Sequence, residues 1–84
     1  MNVFLILTSR KPTFDSAVLD QHYAFLDRLR KRGRLGLSGG FSDKTGGAYI
    51  LLADSVDEAT SVALSDPLNT SGSSAITVKE WLAR

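Results

Sequence analysis

Asn2 to Thr8 carries five consecutive apolar residues, Val3-Phe4-Leu5-Ile6-Leu7. A strand with no polar alternation is expected to be covered on both faces. Ser9 to Phe14 holds Arg10, Lys11 and Pro12, a turn composition. Val18, His22, Phe25 and Leu29 then recur at spacings of four, three and four, and Leu19 and Leu26 widen the stripe. This pattern predicts an amphipathic helix of about four to five turns, capped by Asp15 or Ser16. Arg28, Arg30, Lys31 and Arg32 crowd its last turns, where the helix dipole favours cations, and Gly33 supplies the left-handed stop. Arg34 to Gly40 reads as a second strand with Leu35 and Leu37 on one face, ended or bulged by Gly39-Gly40. Phe41 to Gly47 reads as a loop. Ala48 to Ala53 is a third strand, apolar on successive residues (Tyr49-Ile50-Leu51-Leu52). Ser55 and Glu58 form a capping box for a helix carrying Val56, Ala59, Val62 and Ala63, which Asp66-Pro67 stops. Leu68 to Ser74 reads as a polar loop. Ala75 to Leu82 is a last strand, with Ile76 and Val78 facing one way and Thr77 and Lys79 the other.

The order is β-α-β-β-α-β, which predicts an α+β, ferredoxin-like fold with an antiparallel four-stranded sheet. In that arrangement the first and third strands are central, matching the two continuous apolar runs. The helices cover one sheet face only. Phe4 or Leu5, and Ile50 or Leu51, must then point to the other. A bare apolar sheet face is an interaction surface, so a homodimer paired through its sheets is expected.

Length and charge narrow the function classes. The 84 residues, 1–84, allow one domain with a thin core. The net charge of +1 argues against a dedicated nucleic-acid module. RNA binding on this fold needs aromatic side chains on the open face of the central strands, and the third strand offers only Tyr49. The longest apolar run is far short of the roughly 20 residues that cross a bilayer. It also lacks the flanks of a signal peptide, so a soluble cytoplasmic domain with no membrane partner is expected. With no Cys and one His, a metal site is not expected. No cofactor is expected either: there is no dinucleotide fingerprint, no thiolate and no lysine in an apolar run.

His22 is the most informative residue. It lies on the apolar stripe where a leucine packs more simply. One reading is a core histidine with a satisfied ring nitrogen; the other is an imidazole aimed at a pocket as a general base. Asp66 is either turn chemistry ahead of Pro67 or the carboxylate that orients that imidazole. No G-x-S-x-G elbow supports a serine nucleophile. Ser38, Gly39 and Gly40 either offer backbone N–H groups to a substrate oxygen or serve only bulge and turn geometry, and Phe41 and Trp81 are either pocket walls or core or interface anchors.

Several of these pieces occur together in one known family. They are the hydrophobic first strand, His22 inside the first helix, Gly33-Arg34-Leu35 followed by Ser38-Gly39-Gly40, the apolar third strand, and the short helix running into Asp66-Pro67. Taken in this order they resemble the YCII-related (YciI-like) family of the dimeric α+β barrel group. The resemblance implies a ferredoxin-like protomer dimerising through its sheets, with a His–Asp pair in a cleft, here His22 and Asp66. One branch of the family is associated with dehydrochlorination of a chlorinated hydroxyquinol, and muconolactone isomerase is similar in fold. Gly39-Gly40 stands where the family often has Gly-Pro, and Leu68 where it usually has an aromatic residue. The implied activity is a cofactor-free lyase or isomerase acting on a small cyclic or aromatic-derived substrate. A non-catalytic dimerisation or ligand-sensing module is the alternative.

Overall fold

The two uninterrupted apolar runs form the centre of the sheet. A computed structural model describes residues 1–84. The elements are β1 (Asn2–Arg10), α1 (Leu19–Lys31), β2 (Leu35–Gly40), β3 (Gly46–Ala53), α2 (Val56–Leu64), a single-turn α3 (Pro67–Thr70) and β4 (Ser74–Glu80). All neighbouring strands are antiparallel, in the order β2-β3-β1-β4. The α+β, ferredoxin-like fold expected from the sequence is therefore the fold observed. The β1–β3 ladder runs from Asn2 opposite Ala53 to Ser9 opposite Gly46. No helix is long and apolar enough to cross a membrane.

Strand parity divides the sheet into two faces. Phe4, Ile6, Tyr49, Leu51 and Ala53 point under the helices and are buried. There they meet Phe25, Leu26 and Leu29 of α1 and Ala59 and Ala63 of α2. The alternate residues Val3, Leu5, Leu7, Ala48, Ile50 and Leu52 are only half-buried, on the face no helix covers. Tyr49 thus faces the helices, and on the open face the two central strands, β1 and β3, carry no aromatic side chain.

The ends of the helices obey local chemistry. The Asp15 side chain accepts from the Ala17 N–H and caps a 3-10 turn, Ser16–Val18, that leads into α1. Gly33, at φ 69°, turns the chain out of α1. The Ser55 hydroxyl accepts from the Glu58 N–H at 3.1 Å, and Glu58 in turn accepts from Arg34 at 2.7 Å, pinning α2 to the entry of β2.

Three local expectations are corrected. Leu35 and Leu37 do not share a face: Leu35 packs on the core, whereas Leu37 is 83% exposed. Leu35 pairs with Leu51 but Ser38 pairs with Tyr49, so β2 spends one extra residue in a bulge opposite Ile50. The Leu68–Ser74 segment is not all loop, because Asp66 caps the α3 turn within it. Arg10 belongs to β1, not to the turn, since it pairs with Ser74 and donates its N–H to Thr45 O at 2.8 Å.

Candidate active site

The bulge in β2 has a consequence for chemistry. It returns Ser38 to the parity of its partner Tyr49, toward the helices. Beneath α1 and beside β2 and β3 the apolar core gives way to a cavity of about 380 Å³. Ser38, Gly39 and Gly40 of β2 line one wall, and Gly46, Gly47 and Tyr49 of β3 continue it. Two of these glycines are sterically required. A Cβ on Gly46 would lie 1.8 Å from Thr8 O, and one on Gly47 would lie 2.5 Å from Gly39 O. Thr8, on the helix-facing side of β1, accepts from the Gly47 N–H at 3.0 Å and closes the floor.

His22 enters from α1 through the stripe that otherwise carries Val18, Phe25 and Leu29. Its Nδ1 lies 2.9 Å from each oxygen of Asp66. Asp66 is fully buried, held by its place as N-cap of α3, where Oδ1 also accepts from the Leu68 N–H at 2.8 Å. A buried carboxylate is tolerated only when N–H donors surround it. Leu68 supplies one donor and His22 the other, so the Nδ1 proton is committed to Asp66. In the neutral ring that arrangement leaves the lone pair on the remaining nitrogen, Nε2. It has no hydrogen-bond partner in the protein and is not sealed from solvent, and the His22 side chain lines the cavity.

Tyr49 lies behind this pair. Its ring centroid is 6.5 Å from that of His22 and 6.4 Å from that of Phe25. Its hydroxyl is buried without a hydrogen-bond partner. Burial, and then the negative charge of Asp66, raise the phenol above its ordinary titration range, so it keeps its proton at neutral pH.

The structure places His22, Ser38, Gly39 and Gly40 around one cavity; Asp66 is not among the walls but lies buried behind His22, in contact with its Nδ1. Phe41 and Trp81 are not among the cavity walls. Phe41 is 44% exposed in the hairpin turn, where its N–H donates to Gly46 O. The sequence reading did not single out Thr8 and Arg10, which also line the cavity. Strand parity is the signal that finds them: Phe4 and Ile6 are followed on the same face by positions 8 and 10. No cluster of three or more His, Cys, Asp or Glu side chains is present to hold a metal ion.

The family model described as the YCII-related domain matches residues 2–82. The chain belongs to the YCII-related family. Among its YCII-related relatives is the "Uncharacterized protein YjpA" of Bacillus subtilis (strain 168), 49% identical over 81 residues. That match covers 96% of this chain and 95% of YjpA. The fold is similar to that of the solved structure of 5-chloro-2-hydroxyhydroquinone dehydrochlorinase (TftG) from Burkholderia phenoliruptrix AC1100, in complex with 2,5-dihydroxybenzoquinone. The TM-score is 0.73 at 27% identity, covering 98% of this chain and 95% of that one.

Proposed function

We propose that this YCII-related chain is a cofactor-free enzyme of the lyase or isomerase type. In this reading His22 removes a proton from a carbon or hydroxyl next to a carbonyl in a small cyclic or aromatic-derived substrate. One observation carries the reading: Nδ1 of His22 is engaged by a buried carboxylate, Nε2 has no partner in the protein, and the residue lines a cavity of about 380 Å³. That volume lies within the roughly 300–1,000 Å³ of small-molecule pockets. The likeness to TftG, a dehydrochlorinase bound to a six-membered quinone, supports the substrate class.

The chemistry balances without an outside reactant. Nε2 takes the proton, and the C–H electron pair becomes the C=C bond of an enolate as the carbonyl π pair moves to oxygen. Backbone N–H groups of the Ser38–Gly40 strand hold that oxygen, and Asp66 stabilises the imidazolium formed. The enolate then either expels a leaving group from the adjacent carbon or is reprotonated at a different carbon. A positioned base contributes about 10²–10⁴-fold to such a step.

The test is exchange of the ring hydrogens of 2,5-dihydroxybenzoquinone for deuterium in D2O, followed by NMR. The protein is expected to accelerate exchange, and His22→Gln, which keeps a donor for Asp66 but has no basic nitrogen, is expected to remove the acceleration. Exchange that is equally fast with His22→Gln contradicts the reading.

The working unit proposed is a homodimer paired through the open sheet faces. Leu5 opposite Ile50, flanked by Val3–Leu52 and Leu7–Ala48, makes an apolar patch on the two central strands, and a self-complementary patch suits a two-fold pair. Sedimentation at micromolar concentration is expected to give a dimer that Leu5→Asp dissociates. A monodisperse monomer of the unaltered chain contradicts the pairing.

A further inference from the structure

The rim of the cavity carries two guanidinium groups, Arg10 from the end of β1 and Arg30 from the last turn of α1, against a single lining carboxylate, Asp27. That carboxylate is already engaged: Arg30 Nη1 donates to Asp27 at 2.6 Å. Arg30 also stands eight residues beyond His22, about 12 Å along the helix at the usual rise per residue. Arg10 is different. The ion pairs of the chain are His22–Asp66, Arg30–Asp27 and Arg34–Glu58, and Arg10 takes part in none. Its guanidinium carbon lies 4.1 Å from the centroid of the Phe14 ring, which also lines the cavity. Stacking on the ring holds the side chain in place without neutralising it. Along β1 the helix-facing parity runs from Phe4 and Ile6 in the core to Thr8 on the cavity floor and Arg10 at its rim.

We propose that Arg10 is an anion anchor and that the substrate carries a carboxylate or equivalent oxyanion on its ring. The inference rests on the proposed reading of the same cavity and names the substrate class that reading leaves open. A planar guanidinium presents a fork of donors that matches a carboxylate two-on-two, and Arg10 has no carboxylate of its own to satisfy that fork. Phe14 supplies an apolar surface beneath it, so an aromatic acid has a place for its charge and its ring together. The anionic group sits at the rim and the reacting carbon faces the imidazole.

The test is binding of two probes that differ in charge, 2,5-dihydroxybenzoate and hydroquinone, measured by calorimetry with unaltered protein and variants. The unaltered protein is expected to prefer the carboxylate by about tenfold, the worth of a charge-assisted hydrogen bond. Arg10→Gln is expected to abolish that preference, and Arg30→Gln to change it by less than about twofold, because Asp27 already occupies Arg30. An unchanged melting temperature of Arg10→Gln shows that the fold is not what was altered. His22→Gln is expected to keep the preference while losing ring exchange, which separates failure of the anchor from failure of the base. The proposal is overturned if the unaltered protein shows no preference, if it binds neither probe at millimolar concentration, or if Arg10→Gln leaves the preference intact.

Discussion

The layer between α1 and the sheet has two ends built on the same periodicities, and they do different things. At one end β1 offers Phe4 and Ile6, β3 offers Leu51 and Ala53, and α1 answers with Leu29, all buried. At the other end the same three registers continue with Thr8, with Gly47 and Tyr49, and with His22. The packing stops there and a cavity opens. β1 and β3 keep one register along the layer; the side chains change, and the bulge in β2 turns Ser38 inward at the cavity end. The apolar end stabilises the fold by burial, whereas the polar end keeps a carboxylate and an unpartnered phenol out of water beside an imidazole that reaches the cavity. Buried polar groups at one end of a thin core cost stability, and that cost favours the proposed catalytic reading over a purely structural module.

The largest effect that sharpens this division is expected at the apolar end. Phe4 has no exposed surface, so Phe4→Ala should cost about 3–5 kcal/mol, a large share of the roughly 5–15 kcal/mol that holds a domain together. Urea denaturation measures it. A loss below about 1 kcal/mol would mean that the two ends are not distinct.

At the polar end, His22→Ala removes a donor from the buried Asp66 carboxylate. Breaking a buried pair in this way costs about 3 kcal/mol, and His22→Gln, which restores an N–H, should recover much of that loss in the same denaturation experiment. Equal stability of the two variants would show that Asp66 does not depend on the imidazole.

Tyr49→Phe should act in the opposite direction. The hydroxyl it removes is buried and unpaired, so the variant is expected to be more stable by about 1 kcal/mol. The pH dependence has a definite sign. Because the folded phenol is raised above its ordinary value of 10.0, the unfolded chain loses this proton first as the solution becomes alkaline. The unfolded state then binds fewer protons, so stability falls as pH rises above 10. Tyr49→Phe should remove this part of the alkaline decline, the smallest of these effects. A decline of unchanged slope contradicts the assignment.

The sequence was informative where burial is periodic and silent where one residue breaks the period. The two runs Val3–Leu7 and Tyr49–Leu52 mark the central strands because both put apolar residues on each face of the sheet. The face of Leu37 is not legible in the sequence, because a one-residue bulge leaves no compositional mark among glycines that also suit a strand end. The α3 turn escaped because four residues are too few to show a helical period. Arg10 is masked by its neighbours, since Arg, Lys and Pro together read as a turn although β1 continues to it. His22 stood out by interrupting an apolar stripe. Its contact with Asp66 spans 44 residues, and no local pattern encodes a contact at that separation; the family resemblance supplied the expectation.

The chain has one histidine, so a single long-range proton–nitrogen NMR spectrum at neutral pH reads the state of the proposed base without assignment. The neutral ring is expected as the Nδ1–H tautomer, with Nε2 unprotonated, and Asp66→Asn is expected to shift population toward Nε2–H. A ring that already carries its proton on Nε2, or whose tautomer ignores Asp66→Asn, contradicts the proposed role of the pair.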